Sequence, residues 1–131
     1  MIGLDTNVLI RYLTGDDPIQ SAKAAHLIER GLSVDEPGYI SVVVMAEIAW
    51  VLEQSYGLTP IAIAAAIEAL LRADNLIIAR EQDVFTAMIA LKDARASFAD
   101  ALIATLAASD GCDITMTFDR KATRFRGFQL L

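Results

Sequence analysis

The chain has 131 residues, 55% of them hydrophobic and 21% charged, which suffices for one domain with its own core and excludes an intrinsically disordered chain. Its 17 acidic against 11 basic residues leave a net charge of −6, so any contact with nucleic acid must rest on local patches of cations. A single cysteine (Cys112) and a single histidine (His26) exclude a disulfide framework, a thiolate zinc cluster and a histidine-rich metal site.

In chain order, Met1 to Leu4 is a short apolar run that stops at Asp5. Thr6 and Asn7 read as the entry to a helix over Val8 to Leu13, which Gly15 closes. Asp16-Asp17-Pro18 opens a second helix, Ile19 to Arg30. Gly38 to Ile40 reads as a strand, and Ser41 caps a helix over Val42 to Gln54. Thr59-Pro60 starts the next helix, Ile61 to Leu71, with proline at its first position. Leu76 to Ile78 is a strand-length apolar run. Helices over Gln82 to Ala94 and Phe98 to Ser109 follow, the latter ended by Gly111. Ile114 to Phe118 alternates β-branched residues as a strand does, and Phe128 to Leu131 reads as a last strand. Short strands alternating with helices predict a single α/β domain over residues 1–131, with a short, mostly parallel central β-sheet flanked by α-helices.

The longest stretch without charge, Gln54 to Ile67, contains Pro60 and is shorter than the roughly 18 apolar residues of a membrane span. Asp5 interrupts the apolar start too early for a signal peptide. A reducing, cytoplasmic setting without a membrane is therefore expected.

Four acids stand out. Asp5 and Asp119 follow the first and fourth expected strands, the place where open α/β sheets bind ligands. Alone, either reads equally as a turn or helix-capping residue. Glu47 has Val43, Val44 and Val51 as helical neighbours, and Asp100 has Ala96, Ser97, Ile103 and Ala104. On such apolar faces a carboxylate is desolvated unless something positive meets it. Arg95 is a local partner available to Asp100. If these strand ends and helix faces converge, several negative charges meet in one pocket, which requires bound cations or raised pKa values. Oxygen-only donors of this kind suit Mg2+ or Mn2+.

The motifs Leu4-Asp5-Thr6-Asn7-Val8-Leu9, the helical Glu47, Phe98 to Ala104 and Thr117-Phe118-Asp119-Arg120 resemble, in order, those of PIN-domain ribonucleases. The opening, continued through Arg11 to Pro18, is similar to that of VapC toxins of type II toxin–antitoxin pairs. The resemblance implies an endoribonuclease that hydrolyses RNA phosphodiester bonds with Mg2+ or Mn2+. It carries the catalytic and metal-binding quartet onto Asp5, Glu47, Asp100 and Asp119, with Thr6, Asn7 and Thr117 in support. It also implies a cognate VapB-type antitoxin as partner. Thr6 and Thr117 serve either to position water and phosphate oxygens or as plain caps. Two readings stay open beside the toxin: a PIN-like RNA-processing nuclease, and a non-enzymatic metal-binding α/β interaction module. An aspartyl phosphatase would need an acid where Asn7 stands.

Two surfaces are expected to meet partners. Arg120, Lys121, Arg124 and Arg126 crowd the C-terminus with no acid after Asp119; they form either an RNA-binding patch or a solvated face. The helix Ile61 to Leu71 has Glu68 as its one polar residue, and so small a domain cannot bury it and Val42 to Leu52 on all sides. Apolar surface on these two helices is therefore expected to be covered by a second copy of the chain, an antitoxin segment, or both, unless the alanines let the helix sink into the core.

Overall fold

The first turn of the chain is set by Asp5, whose Oδ1 accepts the Thr6 backbone N–H at 2.7 Å. Asp5 is thereby the N-cap of α1, Thr6–Thr14, and the helix starts two residues earlier than expected. It follows β1, Ile2–Gly3, after two residues, Leu4 and Asp5. Gly15 ends it at φ 65°, a conformation glycine adopts without a Cβ penalty. The Asp17 side chain caps α2, Pro18–His26, from Ile19 N and Gln20 N. Its continuation, expected as regular helix to Arg30, is a π-helical turn over Leu27–Gly31. The structure, a computed structural model, describes residues 1–131.

Ser41, Thr59 and Ser97 cap the next helices as their side chains predict, each accepting the N–H three residues on. These helices are α3, Val42–Gln54, α4, Pro60–Arg72, and α6, Phe98–Ser109, with α5, Glu81–Lys92, before the last. β2, Gly38–Ile40, and β3, Leu76–Ile78, complete a parallel three-stranded sheet in the order β1-β2-β3, with Ile2 opposite Gly38 and Gly38 opposite Leu76. β4, Thr115–Thr117, pairs in parallel with β5, Phe128–Leu130. All pairings are parallel, as expected, but they form two separate sheets where one central sheet was expected. Strands of two or three residues offer few backbone groups from which to build one continuous sheet.

The core gathers Leu9, Ile40, Met45, Ile48, Leu52, Ile67, Val84 and Met88, all fully buried. Each such side chain contributes about 1.5–3 kcal/mol by leaving water. Gly38 lies among them because a Cβ there would stand 2.8 Å from methyl carbons of both Leu4 and Leu32. α3 packs against α1, α4 and α6. α4 buries Ile63, Ala64, Ile67 and Leu70 and turns Ile61, Ala65 and Ala69 outward, so small alanines make most of its apolar outer face. Val43, Trp50 and Ile61 are left 68%, 63% and 66% exposed, the exposed apolar surface expected on α3 and α4. No helix is long and apolar enough to cross a membrane.

Candidate active site

Thr6 is the one buried polar side chain of the protein, at 8% exposure. It joins two of the expected acids. Its N–H donates to Asp5 Oδ1, and its hydroxyl donates to Glu47 Oε1 at 2.9 Å. The helix cap fixes the first of these bonds and the packing of α1 on α3 fixes the second. Asp5, Thr6, Asn7, Glu47, Val51, Ser55 and Tyr56 line one depression together with Arg11. Glu47 is exposed, against the expectation of a desolvated face. Val43 and Trp50, which share its side of α3, point to solvent too.

Asp100 and Asp119 line a second depression, with Lys121, Arg124, Arg95, Ser97 and Glu53. Asp119 Oδ1 accepts the Lys121 N–H at 2.9 Å, and Thr117 Oγ1 accepts the Asp119 N–H at 3.0 Å. Thr117 thus holds the backbone of Asp119, and Asp119 orders the start of the 3-10 turn Ala122–Arg124. Asp100 sits in the first turn of α6, where the positive end of the helix favours a carboxylate. It is half-buried and unpaired. Arg95, its expected local partner, instead reaches Asp93 at 3.9 Å and lies 5.9 Å over the Phe125 ring.

None of the four acids forms an ion pair. Asp5, Glu47 and Asp119 share one habit. Each fixes one oxygen by a protein hydrogen bond and leaves the other without a protein partner. That is the state of a ligand held in place yet open to a cation or water. The four acids do not form a cage, since no three carboxylates stand close enough to hold one ion between them. The convergence of all four in one pocket is thus not what the side chains adopt. The donor set still fits Mg2+, which takes one or two carboxylates and fills its remaining sites with water and substrate phosphate.

Of the basic tail, Lys121 and Arg124 reach the depression of Asp100 and Asp119. Arg120 and Arg126 are exposed outside its lining. Asn7 is exposed and lines the depression of Asp5.

Glu53 lies near the C-terminal end of α3, where no sequence signal marks it as part of a site, and the partners of Arg11 and Tyr56 are brought together only by the fold. Arg11 Nε donates to Gln20 Oε1 at 2.9 Å, and Nη1 donates to Asp16 Oδ1 at 3.0 Å and to Tyr56 Oη at 3.3 Å. Tyr56 in turn donates to Asp16 Oδ2 at 2.6 Å, and the Thr14 hydroxyl donates to Asp16 Oδ1 at 3.0 Å. The Tyr56 hydrogen bond, aided by Thr14 and Arg11, holds the Asp16 carboxyl below its usual range against the opposing effect of desolvation.

The sequence model of the PIN domain matches residues 2–127. No curated protein matches the chain.

Proposed function

We propose that this chain, which belongs to the PIN-domain family, is an Mg2+-dependent endoribonuclease and the toxin of a type II toxin–antitoxin pair, held inactive by a VapB-type antitoxin. PIN domains are generally metal-dependent nucleases. The observation that carries the reading here is the Thr6 bridge, which holds Asp5 and Glu47 side by side with one free oxygen on each.

In this reading Asp5 would hold the ion directly and Glu47 would hold it through a water, and Asp100 and Asp119 would contribute from the second depression. Bound Mg2+ supplies charge compensation at the phosphate and activation of water. Glu47 Oε2, the oxygen that Thr6 leaves free, orients the attacking water and accepts its proton. The Thr6 hydroxyl keeps the Glu47 carboxylate from rotating away. Water oxygen bonds to phosphorus, the bond from phosphorus to the ribose oxygen breaks, and the ribose oxygen leaves as a hydroxyl after taking a proton from solvent water, while Glu47 releases the proton it accepted to solvent. Lys121 and Arg124 bind flanking phosphates, with Arg120 and Arg126 extending the patch.

Val43, Trp50 and Ile61 support the proposal of a covering chain, a second copy or an antitoxin segment. A basic antitoxin side chain among the free carboxylate oxygens would inhibit by charge compensation. Expression with the neighbouring small reading frame tests the toxin assignment. The proposal expects a co-purifying complex with cleavage suppressed. A protein that cleaves RNA unaffected by that product is a nuclease of another role.

A further inference from the structure

We infer that Arg11 and Lys23 form a phosphate track for the RNA strand on the α1–α2 side of the site, away from the basic C-terminus. The inference rests on the ribonuclease reading above. Asn7 and Arg11 lie one turn apart on α1 and line two depressions at once. One holds Asp5, Thr6 and Glu47, and the other holds Val8, Gln20, Lys23 and Leu27. A strand lying on Asp5 and Glu47 and leaving past Asn7 meets Arg11 first and Lys23 next.

Arg11 is built for this. It is the one cation lining the depression of Asp5 and Glu47. Its Nε and Nη1 are fixed by Gln20, Asp16 and Tyr56, and Nη2 has no protein partner. A guanidinium anchored on one edge and free on the other offers donors to a phosphate at little further entropic cost. Asp16 offsets part of the Arg11 charge through the ion pair at 3.0 Å, and the N–H groups of Nη2 stay free to donate to a phosphate beside it. Lys23 is exposed and forms no ion pair, so its charge is available to a polyanion.

The test is binding of a short single-stranded oligoribonucleotide of mixed sequence over a range of salt, in an Asp100→Asn background that stops turnover, with cleavage by the otherwise native chain measured alongside. Each phosphate that a variant ceases to neutralise lowers the slope of log K against log salt by about 0.7. Lys23→Gln and Arg11→Gln are expected to show a fall of about that size each, and Arg11→Lys to keep the slope while binding more weakly. Lys23 makes no side-chain hydrogen bond in the structure, so Lys23→Gln reads the track without disturbing the fold. Slopes unchanged in both glutamine variants, with only a lower Tm for Arg11→Gln, overturn the track and leave Arg11 as a tertiary clasp. In that case cleavage by the native chain keeps the ribonuclease reading standing. A native chain that neither binds nor cleaves RNA overturns both.

Discussion

The Thr6 hydroxyl donates to Glu47 Oε1 across 41 positions of sequence, at 2.9 Å. The bond is made possible by a cap: Asp5 starts α1 at Thr6 rather than at Val8, which turns the Thr6 side chain inward toward α3. A residue that reads as a helix cap therefore also aligns two carboxylates.

Removing that hydroxyl while keeping the shape separates alignment from folding. Thr6→Val should cost about 1 kcal/mol of stability, the net worth of one hydrogen bond. It should weaken metal-dependent cleavage by about 10- to 100-fold, the usual effect of losing a group that orients a ligand. Denaturant unfolding and a cleavage time course check the two effects separately.

The starts of α3, α4 and α6 were legible to within a residue because their signals are local. Ser41, Thr59 and Ser97 each cap the helix they precede. The α6 bounds agree at both ends, Phe98 to Ser109. The quartet of acids was legible as residue types at strand ends and on helices. Their division between two depressions was not, because it depends on how α1, α3 and α6 pack. Glu47 shows the gap most clearly. Its neighbours are apolar, which suggests burial, yet Val43 and Trp50 face solvent and carry Glu47 with them. The Arg11, Asp16 and Tyr56 cluster joins residues as much as 45 positions apart, beyond the reach of any local pattern.

Asp16 gives stability a pH dependence with a definite sign. Its carboxyl is held low in the folded chain, first by the Tyr56 hydrogen bond. Its contribution is therefore full above the ordinary carboxylate value of about 4 and is lost as pH falls through the depressed folded value. Tyr56→Phe should lower Tm near neutral pH, and the gap to the native protein should close in acid. Melting curves across pH check this, and a gap that widens in acid would reverse the assignment.

The two halves of the basic tail should differ. Replacing Lys121 and Arg124 by glutamine should lower the salt slope of RNA binding by about 0.7 for each phosphate left without its cation. The same change at Arg120 and Arg126, outside the depression, should lower it less. Equal slopes in the two double variants would make the tail a diffuse field rather than a set of phosphate sites.

Trp50, 63% exposed on α3, should matter for association more than for folding. Trp50→Ser should leave Tm of the monomer nearly unchanged, since surface substitutions usually lie within about 0.5 kcal/mol. It should also shift light scattering toward the monomer mass. A native protein already monomeric at all concentrations would leave only the antitoxin as the cover for this face.

The most direct measurement is cleavage of single-stranded RNA by the native protein and by Asp5→Asn and Glu47→Gln, in chelator and after adding back Mg2+. Asparagine caps a helix as well as aspartate does, so Asp5→Asn should fold with an unchanged Tm. The account predicts cleavage by the native protein that stops in chelator and returns with Mg2+, and a loss of at least about 100-fold in both variants. Full cleavage in excess chelator, or full activity in either folded variant, would contradict it.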